Sequence, residues 1–277
     1  MNKELQTIIS RYSEKQLCLD NIVVSSFVKH NALTVQGGLL ADYCRDDVPI
    51  VDIESIEDVI NVFELAIPKA EKTKNGAIYT PKYIRDYVLE RVATTQKKPL
   101  QDCLVIDIAC GCGAFLLSFA DYLHFHCGQS YRVAVNHLYG VDVSELSVKR
   151  CKILLSLAAL LNGETLTNED FHVSQGNSLN FDFTSIPGVV ENGGFDIVIG
   201  NPPYVRAKHI DEESKALLSH WQVAHCGNVD LYLPFFEIAC DILCKDGVLG
   251  YITLNSFFKT TTGILVVALS NSKRSKN

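Results

Sequence analysis

The run Phe195-Asp196-Ile197-Val198-Ile199-Gly200, followed at once by Asn201-Pro202-Pro203-Tyr204, constrains the fold of this chain more than any other segment. The run is short, β-branched and ended by glycine, so it reads as a buried strand. Two consecutive prolines then exclude helix and remove two backbone donors. The chain is therefore held extended just past a strand end, where sheets of parallel strands bind ligands. This corner offers the Asn201 side-chain oxygen, the Pro202 carbonyl and the Tyr204 ring. Two neighbouring acceptors suit the two hydrogens of a planar primary amine on an aromatic base, and the ring suits stacking on that base. Accepting both hydrogens draws the nitrogen lone pair out of conjugation and makes it nucleophilic. The bland alternative is a proline-rich turn with a surface tyrosine. The strand before it and the motifs upstream weigh against that.

From Gly76 onward the apolar pattern alternates between strand and helix. The turn Gly76 to Pro81 leads into a helix carrying Tyr83, Ile84, Tyr87, Val88 and Val92 on one face. Strands are expected over Cys103 to Ile108, Leu138 to Val143, Phe171 to Ser174, Phe195 to Gly200 and Val248 to Leu254. Helices are expected over Ala114 to Tyr122, Glu145 to Leu161 and Leu231 to Cys244. This order implies an α/β fold with a mostly parallel sheet and helices on both faces. Residues 1–70 read as a helical N-terminal region without legible chemistry, residues 71–260 as the main domain and residues 261–277 as a tail.

A chain of 277 residues with 47% apolar content is ample for a core. Its polar start and short apolar runs give no signal peptide or bilayer span, so a cytoplasmic protein is expected. The ten cysteines lack paired zinc spacing and read as reduced, packed thiols. His124 and His126, two apart, do not share a helix face, so no metal site is expected. A net charge of −7 argues against nonspecific nucleic-acid binding by the chain as a whole, while leaving room for a nucleic-acid substrate. Lys273, Arg274 and Lys276 read as a solvated tail.

Three further strand ends carry chemistry. Val105 to Phe115 is a strand, a small-residue turn and a helix start. Gly111 and Gly113 allow a tight turn with amides open to a ligand, and Asp107 at the strand end suits an ammonium group. Asp142 ends the next strand, where a ribose diol is accepted bidentately. Asn177, in Gln175-Gly176-Asn177-Ser178-Leu179, is placed to bond an adenine edge, although asparagine is also a common turn residue. Together these positions fit an adenosine with a zwitterionic amino-acid tail, which is S-adenosylmethionine.

The order Gly76-Ala77-Ile78-Tyr79-Thr80-Pro81, Asp107 to Leu116, Asp142, Gly176 to Leu179, Asn201 to Tyr204 resembles the adenine-specific DNA methyltransferases of restriction–modification and related defence systems. The resemblance covers roughly residues 70–260. It implies a Rossmann-like methyltransferase fold. Thr80 and its neighbours Tyr79 and Pro81 would line the methionine end of the cofactor. Asp107 with Ala109, Cys110, Gly111 and Gly113 would hold its amino-acid tail. Asp142 and Val143 would take the ribose, and Asn177, Ser178 and Leu179 the adenine. Asn201 and Pro202 would bind the target amine, with Pro203 stiffening the corner and Tyr204 stacking on an adenine flipped from double-stranded DNA. Asp230-Leu231-Tyr232 resembles the segment behind the cofactor site, and Trp221 and His225 read mainly as loop packing.

Two departures bear on this. Many members of the family carry Asp where Asn177 stands, and a single carbonyl oxygen lowers the expected cofactor affinity. The family continues past its fifth strand with further strands and a target-recognition region, where only Thr260 to Asn277 remain. The expectation is a truncated or split methyltransferase, with a second chain as a candidate source of target recognition. Two other substrates share the tetrapeptide, a glutamine amide in a release factor and guanine in ribosomal RNA. A cofactor-binding chain without activity is the further alternative.

Overall fold

The computed structural model describes residues 16–253, except 69, 73–75, 77, 227 and 228. The expectations for residues 254–277, including the tail and its basic residues, lie outside this range.

Five strands, β1 (Val105–Asp107), β2 (Leu138–Asp142), β3 (His172–Gln175), β4 (Phe195–Gly200) and β5 (Leu243–Tyr251), pair in parallel in the order β3-β2-β1-β4-β5. Every residue of β1 and β4 is buried. Alternate side chains enter two different cores. Val105, Ile197 and Ile199 join one, whereas Ile106 and Val198 join the other; Phe195, before the register irregularity of β4 with β5, also joins the second. Burial on both faces explains why these strands read as continuous apolar runs.

One face is covered by α1 (Gln16–His30), α2 (Ile56–Leu65), α3 (Lys82–Thr95), α4 (Ala114–Cys127), α5 (Tyr131–Asn136) and α6 (Glu145–Leu161). The other face carries α7 (Pro187–Asn192) and α9 (Tyr232–Ile242), with α8 (Glu212–Leu218) lying between β4 and α9 in the chain. Local capping fixes several starts. Ser55 and Asp58 form a reciprocal capping box on α2, and Ser130 and Ser144 cap α5 and α6. Among the described residues no helix is long and apolar enough to cross a membrane.

Three sequence expectations need correction. The α3 residues do not share one buried face. Tyr83 and Tyr87 are 73% and 60% exposed, while Arg85, Leu89 and Val92 are buried. An arginine was not counted as a core position, yet its guanidinium is buried with three partners, so the helix turns Arg85 inward and the tyrosines outward. The α9–β5 boundary also moves. The helix stops at Ile242 and the strand begins at Leu243, which pairs with Phe195. Val248 pairs with Ile197, so extra residues are accommodated in β5, with Asp246 at a φ of 64°. A bulge of this kind hides a strand from an alternation pattern. The short helices α5, α7 and α8 carry too little periodicity to be foreseen.

The N-terminal helices join the main core through charge as well as apolar contact. Asp20 and Arg150 are both fully buried, 3.0 Å apart, and Lys149 also pairs with Asp20. Arg150 further donates to the Phe63 carbonyl at 3.2 Å and lies over the Phe63 ring. Three helices, α1, α2 and α6, therefore meet at one guanidinium. Removing one partner of a buried pair leaves an uncompensated charge. Asp20→Ala is expected to lower stability by about 3–5 kcal/mol in urea unfolding, and a loss under about 1 kcal/mol would contradict this.

Candidate active site

The strand ends of β1, β2, β3 and β4 open into one cavity. Its lining includes Tyr79, Thr80, Asp107, Ala109, Cys110, Gly111, Asp142, Val143, Asn177, Ser178, Leu179, Asn201 and Pro203. Of the residues singled out from the sequence, Pro81, Gly113, Pro202 and Tyr204 do not line it. The proline corner and the glycine turn thus share a hollow, although they stand far apart in the chain.

Parallel pairing of β1 with β4 creates this proximity. Gly200 has a φ of 151°, and a Cβ there would lie 2.6 Å from the Asp107 Oδ1. Only a hydrogen fits between the two motifs. Asp107 accepts from the Ala109 amide at 3.0 Å. Burial pushes its carboxyl up to about 7, with the Ala109 N–H opposing and the Asp142 charge adding to the rise. Asp142 accepts from the Gly111 amide at 2.8 Å and the Ser144 amide at 2.9 Å, so it fastens the glycine turn to the end of β2. Burial raises its pKa as well, against the pull of those two amides.

Gly113 lies behind the turn at a φ of 87°, and a Cβ there would sit 2.4 Å from the Cys151 Sγ on α6. After β3, the buried Ser178 donates to the Ile108 carbonyl at 2.5 Å, which ties the third turn to the first. The Asn177 oxygen accepts from the Leu179 amide at 3.1 Å, and the residue lines the cavity.

The proline corner is held by the segment before α3. The Tyr204 amide donates to the Gly76 carbonyl at 3.2 Å, and a Cβ on Gly76 would come within 2.7 Å of that amide. Asn201 donates from Nδ2 to the Thr80 hydroxyl at 3.1 Å and to the Ile78 carbonyl at 3.3 Å. Its Oδ1 is buried without a partner. A buried acceptor left unpaired costs about 1–3 kcal/mol, which a ligand donor would recover. The Tyr204 hydroxyl donates to the Ile252 carbonyl at 2.8 Å, and its ring lies tilted against Tyr232 at 5.7 Å. Burial lifts that phenol to about 12, with Tyr232 adding to the rise.

Several lining residues carry no motif. Glu64 and Ile67 come from α2 and the turn after it, Glu71 from the helical turn at residues 70–72, and Leu231 and Phe235 from the start of α9. Glu64 is the informative omission. It follows the buried Val62 and Phe63 in the chain, and no motif of the sequence marks it. Burial raises its pKa, with Lys72 opposing. Among the described lining residues there are six carboxylates (Glu64, Glu71, Asp107, Asp142, Asp211 and Glu213) and no lysine or arginine. Such a lining repels phosphate and attracts a cation. The donor and acceptor set fits a nucleoside with a cationic tail better than a dinucleotide.

Residues 136–274 match the model of the Eco57I restriction-modification methylase family. The chain belongs to that family. Its members are adenine-specific DNA methyltransferases of restriction–modification systems. Curated relatives include the type II restriction enzyme and methyltransferase RM.Eco57I of Escherichia coli, 26% identical over 247 residues, and the type II methyltransferase M.PaeR7I of Pseudomonas aeruginosa, 29% identical over 205 residues. These alignments cover 71% and 68% of this chain but only 25% and 33% of the relatives. Among solved structures, the DrdV–DNA complex matches 80% of the chain and 25% of its own length at a TM-score of 0.61 and 18% identity. A Listeria monocytogenes protein assigned to the class I S-adenosylmethionine-dependent methyltransferases matches 97% of the chain and 79% of its own length, at a TM-score of 0.52 and 17% identity. The family member described here therefore has the α/β fold of those methyltransferases.

Gly113→Ala tests the rigidity of the glycine turn. The new methyl group meets a buried sulfur in a left-handed backbone conformation. A stability loss of about 2 kcal/mol or more is expected in thermal or urea unfolding, from strain and overpacking together. A neutral substitution would mean that the turn relaxes freely.

Proposed function

We propose that this chain transfers a methyl group from S-adenosylmethionine to the exocyclic amine of adenine in DNA, within a restriction–modification or phage-defence system. The observation that carries this reading is the Asn201 amide. Both of its described donor contacts are inside the protein, the residue lines the cavity, and its buried oxygen is left without a hydrogen-bond partner. An acceptor held this way suits an N–H donor such as a primary amine.

The cofactor would supply an electrophilic methyl group on a sulfonium. Asp107 and the backbone of Ala109 to Gly111 would hold its amino-acid tail, Asp142 the ribose hydroxyls, and Asn177 the adenine. The six carboxylates favour a ligand of positive charge. Asn201 would accept from the target amine, with the Pro202 carbonyl as the second acceptor, so that nitrogen keeps a lone pair directed away from its ring. Holding that nitrogen in line with the methyl group is the main catalytic task. The adenine must leave the duplex to reach the corner, and the Tyr204 ring is the candidate surface for it. An acidic cavity does not hold phosphates, so double-stranded DNA would be gripped elsewhere, by further sequence or a second chain. The reaction would take place in the cytoplasm. The name of one curated relative, the adenine-specific methyltransferase PglX of Streptomyces coelicolor, 22% identical over 254 residues, favours adenine over the glutamine-amide and ribosomal RNA readings.

The test is tritiated methyl transfer to unmethylated DNA, to release factor and to RNA. Transfer to DNA is expected, and transfer to either alternative in its place would overturn the reading. Asn201→Ala is expected to reduce turnover by about 10²-fold or more, the scale for losing one preorganised transition-state contact, with cofactor affinity unchanged. Near-normal turnover would remove Asn201 from the amine site.

A pH dependence follows from Asp107. Below its raised pKa of about 7 the carboxyl is neutral, and above it the carboxylate attracts a cation. Cofactor affinity by calorimetry should therefore rise by about threefold or more between pH 6 and pH 8. Asp107→Asn should flatten that rise. An unchanged wild-type affinity across the range would contradict the assignment.

A further inference from the structure

Asparagine has a nearly symmetric end, and its use as an acceptor depends on which way the amide is turned. In this chain the choice is forced by residues from a different motif. The Ile78 backbone carbonyl can only accept, so the Asn201 atom facing it at 3.3 Å must be the nitrogen. The Thr80 hydroxyl at 3.1 Å takes the other hydrogen of the same NH2 group. With both hydrogens engaged, Oδ1 is left as the unpaired acceptor of the amide, and it is buried.

Thr80 is itself anchored. It is buried, and its carbonyl accepts from Arg85 Nη1 at 2.6 Å. Arg85, 1% exposed, also donates from Nε to the Ser118 hydroxyl at 3.1 Å and pairs through Nη2 with Glu57. A continuous run of polar contacts thus passes from α2 through the guanidinium on α3 to the amide at the end of β4. Arg85 ties three elements to the backbone of the residue that orients Asn201. A rigid fork is suited to this, because it fixes several acceptors at once.

We propose that Thr80, braced by Arg85, is a positioning residue that locks the Asn201 amide with its oxygen toward the substrate amine. The inference deepens the methyl-transfer reading and rests on it for its consequence in turnover. It differs from the sequence expectation, which gave Thr80 to the methionine end of the cofactor. The hydroxyl is engaged by Asn201, so its loss should affect the acceptor before it affects the cofactor. Without Thr80 Oγ1, one hydrogen of the NH2 group is unpaired and the amide is free to rotate. A rotated amide would present donors to a donor, and the amine would lose its acceptor.

The experiment compares Thr80→Val, which keeps the shape and removes the hydroxyl, with Thr80→Ser, which keeps the hydroxyl. Two readouts are taken on the full chain. In the first, methyl transfer to an adenine-rich single-stranded oligonucleotide is measured beside cofactor affinity. Thr80→Val is expected to lower kcat at least tenfold with cofactor affinity within twofold, and Thr80→Ser to recover most of the loss. An unchanged kcat, or a cofactor affinity that falls as far as kcat, would overturn the proposal. In the second, hydrogen exchange of the Asn201 side-chain NH2 group is followed by NMR, with Asn201→Asp identifying the signals. Thr80→Val should speed that exchange at least fivefold and Thr80→Ser should not. Unchanged exchange in Thr80→Val would overturn the proposal even if the wild-type chain methylates nothing. A wild-type chain that methylates no DNA but loses amide protection in Thr80→Val would instead refute the methyl-transfer reading alone.

Discussion

Pairing of β1 with β4 is the constraint on which the rest depends. Val105 opposite Ile197 and Ile106 opposite Val198 set the register of the two central strands. That register brings Asp107 and Gly200 into contact at the strand ends, so close that a side chain on residue 200 is excluded. Every other element of the cavity is positioned relative to this pair. Asp142 pins the glycine turn to the neighbouring strand, Ser178 pins the third turn to Ile108, and the segment from Gly76 to Thr80 closes over the end of β4. Parallel strands place all these turns at one edge of the sheet, which is why chemistry drawn from separate motifs converges.

The cavity combines two kinds of polar group. Some are spent on the fold, and others are left for a ligand. The Ser178 hydroxyl and the Asn177 oxygen hold the turns, each Asp142 oxygen takes one turn amide and keeps a further acceptor site, and the Asn201 oxygen does not find a partner. The carboxylates around them are buried deeply enough for their pKa values to rise. Such groups are tolerated in a fold when a ligand of opposite charge is expected to share the space.

The α2 helix illustrates how much of this site was beyond local pattern. Its apolar residues at helical spacing over 53–63 place a helix there, and the structure adds the capping box of Ser55 and Asp58. Glu57 and Glu64 on the same helix belong to no motif. One reaches the buried guanidinium of Arg85 and the other lines the cavity. A side chain's role here depends on contacts made across tens of residues, and periodicity carries no information about those contacts. The same holds for Arg85, which is buried on α3 because three partners from other segments meet its guanidinium.

Chain order and residue type alone determined the alternation of strands and helices, the turns at their ends and the candidate chemistry of Asp107, Asp142, Asn177 and Asn201. These signals are local: glycine and proline limit backbone angles, and β-branched runs favour buried strands. Only the tertiary structure decided which way the Asn201 amide faces, that Tyr83 and Tyr87 point outward, that β5 is bulged, and that residues before position 72 reach the cavity. Each of these outcomes is a balance of desolvation against hydrogen bonds between distant segments, and no window of sequence contains both sides of that balance.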